Sequence, residues 1–541
     1  MANEMTADRG DSPTPAAVPP RRRVAINTAI FAVATAFSRV AGLLREIVAA
    51  DYFGTSKAAS AFTIASQIPN LMTNLFAQAA LSAAFVPVFT DLLQQGRKRE
   101  AFKLASTMFW LILIGIGAIT AVGMLLAGLI MPAFSSAHFN GELGATLTQI
   151  MFPVVLILGL TGMLVGILQS YDEFSIPALA PVIWNLIILA LLIVLHTRVH
   201  PSIEAYAVAW LAATFVQLLM VGAALSRIDF RLRLEFDWRD PRIRQVFTLM
   251  LPVTIGLGIV NLDSLINSTF GALVNAQGPR AIQFAFLVYM LPQGIFSVAV
   301  STVLFPTLSR QAARRAPTEM RRSLGIGMRQ INLLLIPCAG GLMVLATPIV
   351  RLLFQHGQFG PTSTHLTSIA LFWFAWSLPF AGLNLLLTRT FFALQRPWIP
   401  TKLAGLNMLV DVILSLVLYR PLGLAGLVIA TAVANTVMFA LQFRRMQVGF
   451  NGRLEGAQTV MITVRIVIAS AVTAAVARAI WAGLSGLFGG SVIAQILSVG
   501  LTVLLAAALY ARLTLMMRIP EARQIETLVA GRLGLARRSQ A

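Results

Sequence analysis

A single cysteine, Cys338, stands in 541 residues. It lies inside an apolar stretch, so no disulfide can close within the chain and thiol redox chemistry has no second sulfur. Charge is scarce as well: 11% of residues are Asp, Glu, Lys or Arg against 57% hydrophobic, and mean hydropathy is +0.80. No soluble fold of this length carries that balance. Acid is the scarcer sign, with 21 acidic residues against 41 basic for a net charge of +20. Such a surplus suits nucleic acid when it is gathered on one surface. Here it is spread over short segments between apolar runs, so it reads as membrane topology with some attraction to anionic lipid headgroups, and not as nucleic-acid binding. The five histidines, His138, His196, His200, His356 and His365, fall near predicted outer ends without ligand-like spacing. No nucleophile elbow, phosphate loop or zinc motif occurs in a plausible context, so the chain shows no sign of ATP hydrolysis or covalent catalysis.

What the sequence does hold is fourteen long apolar stretches, at about 24–50, 59–92, 102–133, 145–170, 176–196, 203–225, 245–275, 279–309, 326–354, 363–394, 398–419, 421–443, 459–484 and 490–514. Each reaches the ~20 residues needed to cross ~30 Å of hydrocarbon. Basic clusters occupy every second gap: Arg21 to Arg23, Arg97 to Arg99, Arg227 to Arg244, Arg310 to Arg322, Arg444 to Arg453, and the tail from Arg512. Cytoplasmic loops keep Lys and Arg, so both ends are placed inside. The first apolar run is longer than a signal-peptide core and contains Arg39 and Arg45, which predicts a retained helix. Residues 1–23 are polar and Pro-rich, a composition that predicts a disordered basic cytoplasmic tail.

The two halves look alike. Pro69 with Ser82 and Pro87 is matched by Pro292 with Ser301 and Pro306; Ile176-Pro177 with Asn185 is matched by Ile399-Pro400 with Asn407. Pro69 to Pro292 and Pro177 to Pro400 are the same offset. The fold expected is all-α and integral to the membrane: a first six-helix lobe at 24–225, an amphipathic cytoplasmic linker at 226–244 lying along the inner membrane surface, and a second lobe at 245–443 in parallel orientation. Two further helices at 444–515 and a cytoplasmic tail at 516–541 complete it. Duplicated bundles of this kind enclose a central site and expose it to each side in turn, so a transporter leads over an enzyme.

Arg39 lies past the middle of the first stretch, where an arginine costs roughly 2.5 to 3.5 kcal/mol on insertion scales, so it is expected to face a wet cavity or a partner. Glu46 shares almost the same helical face; Ser38 and Arg45 share another. An internal guanidinium suits an anionic ligand, since its planar fork matches phosphate. Arg45 could instead snorkel to the outer surface. In the second half, Asp263 and Asn267 stand one turn apart, as do Asn407 and Asp411, with Thr431 in the next stretch. One-turn spacing puts both oxygen-bearing side chains of a pair on one face. Such oxygens suit a hard cation, so the set predicts a Na+ site or a protonatable carboxylate pair, with polar contacts between helices as the alternative.

Phe37-Ser38-Arg39-Val40-Ala41-Gly42-Leu43-Leu44-Arg45-Glu46, Phe53-Gly54, Ile68-Pro69-Asn70-Leu71, Ala84-Phe85-Val86-Pro87, Phe174-Ser175-Ile176-Pro177, Phe305-Pro306-Thr307-Leu308-Ser309 and Leu353-Phe354-Gln355-His356-Gly357 together resemble the MurJ (MviN) family of lipid II flippases. The resemblance implies the fourteen-helix MOP-superfamily, MATE-like fold and a cationic central cavity. It also implies a lipid-tail groove formed with helices thirteen and fourteen, and export of the undecaprenyl-diphosphate-linked murein precursor across the bacterial plasma (inner) membrane. By position it implies substrate contacts at Ser38, Arg39, Arg45 and Asn70, with Glu46 in place of the usual Asp. It implies sodium ligands at Asn407, Asp411 and Thr431, with Asp263 or Asn267 contributing from the seventh helix. Three positions depart from the family pattern: Thr73 and Leu287 stand where arginines are usual, and Ser60 where an acid is. The implied reading is a flippase driven by an ion gradient or membrane potential, possessing no cofactor beyond Na+ as coupling ion. Its alternatives are a small-cation or other polyprenyl-glycan exporter, and a non-transporting scaffold for cell-wall synthesis proteins.

Overall fold

The structure, a computed structural model, describes residues 21–76, 79–133, 140–171, 173, 175–198, 202–228, 230–450, 456–524 and 526. Among these residues the regular structure is helical. In the first half run α1 (Arg21–Phe53), α2 (Lys57–Phe76), α3 (Ala79–Gln94), α4 (Lys98–Ala133), α5 (Gly141–Met151), α6 (Pro153–Ser170), α7 (Ser175–Arg198) and α8 (Ile203–Ala224). In the second half run α9 (Pro241–Val274), α10 (Gly278–Pro292), α11 (Val298–Ala313), α12 (Pro317–Val344), α13 (Ala346–Phe354), α14 (Pro361–Ala393) and α15 (Trp398–Gly449), followed by α16 (Gly456–Phe488) and α17 (Val492–Met516). Every predicted apolar stretch coincides with one or two of these helices. Ten helical segments among the described residues are long and apolar enough to span a bilayer. The tail at 1–20 and most of the tail after Gln524 lie outside the described residues.

Helix is the only open-chain answer in lipid, where every backbone N–H and C=O must be paired within the segment. Local chemistry sets the ends. Asn140 accepts from the amides of Glu142 and Leu143 at the start of α5, Ser202 from Ala205 at α8, and Ser491 from Ala494 at α17; Asp240 caps α9 ahead of Pro241. Proline also shapes the interior. Directly after Pro292 the chain makes one π-helical turn, Gln293–Ser297, between α10 and α11. A proline removes one ladder donor and crowds the preceding turn, and widening the helix locally relieves that. The break expected at Pro421 instead falls two residues later: α15 continues through the proline and departs from helical geometry at Gly423, with φ 57° and ψ −133°. Only glycine adopts that conformation without a Cβ clash.

The packing forms two bodies. In the first, α3, α4, α6 and α8 enclose Phe85, Phe89, Met108, Met163 and Ile167, while α1, α2, α5, α7 and α8 enclose Phe62, Leu147, Ile188, Tyr206 and Trp210. The second body is one continuous core of α10, α12, α13, α14 and α15. Helix α9 packs on α2 and α3 on one side and on α15 on the other; α16 packs on α12 and α17.

The outer end of α1 belongs to both bodies. Ala50 is part of the second body's core, with Leu43 and Ile47 packed against it. The amide of Gln358 donates to the carbonyl of Asp51 at 2.8 Å, and the hydroxyls of Thr55 and Ser363 lie 2.7 Å apart. Gly54 and Gly357, both at positive φ, let these two backbones touch: a Cβ on Gly54 would collide with the Gln358 carbonyl, and one on Gly357 with Asp51. Towards the cytoplasm α1 is open instead, with Phe37, Arg39, Val40 and Leu44 exposed. The lobes also meet along α9, where Ile243 and Val246 pack into the first body's core.

Candidate functional site

Where the two lobes meet at depth, one carboxylate is clasped by two guanidiniums. Glu46 of α1 accepts from Arg45 Nη2 at 2.7 Å and from Arg280 Nη2 of α10 at 2.9 Å. All three side chains are buried. Each arginine is braced by its own lobe. Arg45 donates to Asn185 Oδ1 of α7 at 3.0 Å and sits 4.9 Å from the ring centroids of both Trp184 and Trp210. Arg280 donates to Gln283 Oε1 at 2.6 Å, which also accepts from Thr63 of α2 at 2.8 Å, and its guanidinium lies 4.4 Å from the Phe284 ring. Ser38 shares the Asn185 side of α1, its carbonyl 3.4 Å from Asn185 Nδ2.

Two positive charges against one negative leave this cluster cationic inside the protein. The Nε of Arg45 and the Nε of Arg280 are buried donors without a protein acceptor, so part of the cost of burying the two guanidiniums is not offset by the clasp itself. Arg45 therefore does not snorkel outwards. Leu287, where the resemblance implies an arginine, packs against the second lobe's core, and the same helix carries a buried guanidinium two turns earlier at Arg280. Sequence reading passed over Arg280 because it opens a helix near the outer boundary, where an arginine ordinarily marks the interface.

Below the clasp the cleft opens. Arg39 is exposed on α1, and its guanidinium lies against Gly294 in the π-turn of the opposite lobe, in the space a Cβ would fill. Farther towards the cytoplasm Arg389 of α14 donates to Thr302 of α11 at 2.8 Å, a second guanidinium that the sequence reading did not single out. Asn70 is half-buried beside Pro69 in α2. Ser60 is buried with its hydroxyl unpartnered. The side chain of Thr73 lies outside the described residues.

In the second lobe three predicted residues come together. Asn267 of α9 donates to Asp411 Oδ2 of α15 at 2.9 Å and contacts Thr431 Oγ1 at 3.3 Å; Thr431 donates to Asp411 Oδ1 at 3.2 Å. Asp411 is buried. The Oδ1 atoms of Asn267 and of Asn407 are buried acceptors without partners. The Asp263 side chain lies outside the described residues. A carboxylate and a hydroxyl meet here, groups of the kind that hold hard cations, and the Asn267 amide presents its nitrogen to both.

An apolar groove of about 650 Å³ runs between α12, α14, α15 and α16, lined by Met328, Ile336, Phe380, Phe439, Val464 and Ala474 among others. It is built with the thirteenth stretch alone; α17 is not among its walls.

Residues 49–502 match the family model described as lipid II flippase MurJ. The chain is 31% identical over 418 residues to a probable lipid II flippase MurJ of Rhizobium meliloti (strain 1021), covering 76% of this chain and 78% of that protein. It is 30% identical over 425 residues to the lipid II flippase MurJ of Burkholderia cenocepacia, covering 76% and 82%. Among solved structures it superposes on a lipid II flippase MurJ in an inward closed conformation with a TM-score of 0.74 at 23% identity, covering 90% of this chain and 99% of that one. An inward-facing multidrug resistance MATE family transporter of the MOP superfamily follows at 0.68 and 14% identity, covering 79% and 98%. These likenesses establish the MOP fold.

Proposed function

Because this chain belongs to the MurJ family of lipid II flippases, we propose that it carries the lipid-linked peptidoglycan precursor from the inner to the outer leaflet of the bacterial plasma membrane. The observation that carries the mechanism is the Arg45–Glu46–Arg280 clasp, which joins the lobes at the outer end of a cleft that also holds Arg39. The diphosphate of an undecaprenyl-linked substrate enters from the cytoplasm and meets Arg39. Its oxygens then compete with Glu46 for the two guanidiniums and take up their spare donors. Charge-assisted bonds of this type are worth roughly 1.5 to 3 kcal/mol each, or about 10- to 150-fold in affinity.

Relieved of Glu46, the lobes part at Asp51–Gln358 and Thr55–Ser363 and the cleft opens outwards. The headgroup alone crosses the interior; the polyprenyl tail stays in lipid, with the groove beside α16 as its resting place. A cavity of guanidiniums argues against a small organic cation as cargo.

For coupling, we propose that Na+ binds Asp411, Thr431, Asn407 and Asn267, turning the free amide oxygens inwards. The ion would hold α9 against α15 and supply a gradient to drive the return of the empty carrier.

Growth of a bacterium depleted of its own flippase tests the whole reading. The wild-type chain should restore growth, and Glu46→Ala, Arg280→Ala and Arg39→Ala should each fail at normal membrane levels. Full rescue by Arg280→Ala would remove the clasp from the mechanism.

A further inference from the structure

The segment joining the lobes has an unpartnered apolar face. From Arg233 to Asp237 the odd-numbered positions are bonded to α4, two of them through the backbone: the Arg233 amide donates to Ser106 Oγ at 3.0 Å, Trp110 Nε1 donates to the Arg233 carbonyl at 2.9 Å, Thr107 donates to the Glu235 carbonyl at 3.3 Å, and Lys103 pairs with Asp237 at 2.7 Å. The Lys103 ammonium, hydrogen-bonded to it, holds the Asp237 carboxyl below its ordinary range. The even positions from 232 onward point away, and four large apolar side chains are exposed there: Leu232, Leu234 at 89%, Phe236 and Trp238 at 62%.

Which way they point follows from α4. Lys103, Thr107 and Trp110 recur at helical spacing with Ile114, Ala118, Ala121, Leu125 and Leu129, so all lie on one stripe. The part of that stripe beyond Trp110 is exposed along its length, with Leu125 at 78%. In a membrane protein such a surface faces lipid. The segment therefore crosses the lipid-facing side of α4 where α4 leaves the bilayer. Its path also has an apex. Phe230 packs on Phe102, Arg233 reaches Trp110, and Asp237 has returned to Lys103. Arg233 bonds both Ser106 and Trp110, which lie roughly 5 and 10 Å deeper than Lys103 along the helix axis, and Leu234, the most exposed of the four, follows it.

We propose that residues 230–238 are a membrane-dipping strap, with Leu232, Leu234, Phe236 and Trp238 seated in the cytoplasmic leaflet and Arg231, Arg233 and Arg239 contacting anionic lipid headgroups. Apolar and indole side chains flanked by arginines are what an anionic interface retains. The anchor adds to the Arg242–Glu100 pair and to Ile243 and Val246 in fixing the inter-lobe connection to the first lobe.

The test uses the full chain with Cys338→Ala and one new cysteine at a time, Leu234→Cys, Phe236→Cys or Glu235→Cys, labelled with bimane. Should the Cys338→Ala protein fail to fold, Cys338 is kept and its own signal subtracted. In vesicles of phosphatidylethanolamine and phosphatidylglycerol, labels at 234 and 236 should be quenched several-fold more by acyl-chain spin-labelled lipid than by aqueous iodide, and the label at 235 the reverse. Quenching at 234 by iodide alone, or by neither agent because protein covers it, would overturn the strap. Lipid quenching at 234 should also fall in vesicles of phosphatidylcholine alone; equal quenching in both would overturn the anionic contact.

Discussion

Glu46 holds two arginines of different lobes at 2.7 and 2.9 Å, and the value of that arrangement lies in what its removal leaves behind. Deleting the acid strands two guanidiniums in a dry contact, a cost of about 3–5 kcal/mol. Glu46→Ala should therefore lower the thermal stability of the purified protein as well as block rescue, whereas Glu46→Gln, keeping shape and hydrogen bonding, should lose less stability; a thermal unfolding series on the two variants checks the order. Gly294 makes a sharper claim. Its missing side chain gives Arg39 room to lie across the cleft, so Gly294→Val should displace the guanidinium and reduce rescue to the level of Arg39→Ala while the protein stays folded. Normal growth with Gly294→Val would show that Arg39 acts elsewhere. Arg39 was legible as an interior charge in an apolar run. Arg280 was not, because only its pairing partner, 234 positions away in sequence, distinguishes it from an interfacial arginine.

Helices carry the next set of consequences. Helix α9 is bound to α15 through Asn267, Asp411 and Thr431, and a cation there should make the two move as one. Sodium should raise the unfolding temperature of the wild-type protein, and Asp411→Asn should abolish the response. At a hundredfold excess over its dissociation constant one bound ion contributes about 2.7 kcal/mol. Equal stabilisation by sodium and potassium would count against the site. At the outer gate, α1 ends at Gly54 and the turn before α14 contains Gly357, both in the left-handed region and in backbone contact across the lobes. A side chain at either costs roughly 1–2 kcal/mol in conformation alone and wedges the gate. Gly357→Val should raise the labelling rate of a cysteine placed at Ser363 by a membrane-impermeant thiol reagent added outside. An unchanged rate would mean that the gate closes through other contacts. One-turn spacing marked Asp263 with Asn267, and Asn407 with Asp411, as two polar helix faces in advance, while the π-turn after Pro292 had no periodic signature and needed coordinates.

At the scale of the molecule, two parallel bodies share the outer end of α1 and meet again along α9, and alternating access requires that such contacts be exchanged between states. The outer end is tied by the Asp51–Gln358 backbone hydrogen bond, the Thr55–Ser363 and Thr63–Gln283 side-chain pairs, the packing of Leu43, Ile47 and Ala50 on the second body, and the buried clasp. At the other end Lys103–Asp237 holds the strap, and Arg242–Glu100 the start of α9, to the first lobe.

The sequence by itself determined the class of molecule and its two lobes, because these depend on additive quantities: apolar length sets each crossing, and repeated Ile176-Pro177 and Ile399-Pro400 reveal the duplication. It also marked Arg39, Glu46, Asn267 and Asp411, since a polar group inside a hydrocarbon span is conspicuous without knowing its neighbours. Only the tertiary structure decided that Arg45 is buried between two tryptophans, that Arg280 completes the clasp, that α15 breaks at Gly423, and that the groove is walled by α16 and not α17. Each of those depends on which helix faces which, a pairwise property of residues far apart in the chain, and composition and periodicity along one strand of sequence do not contain it.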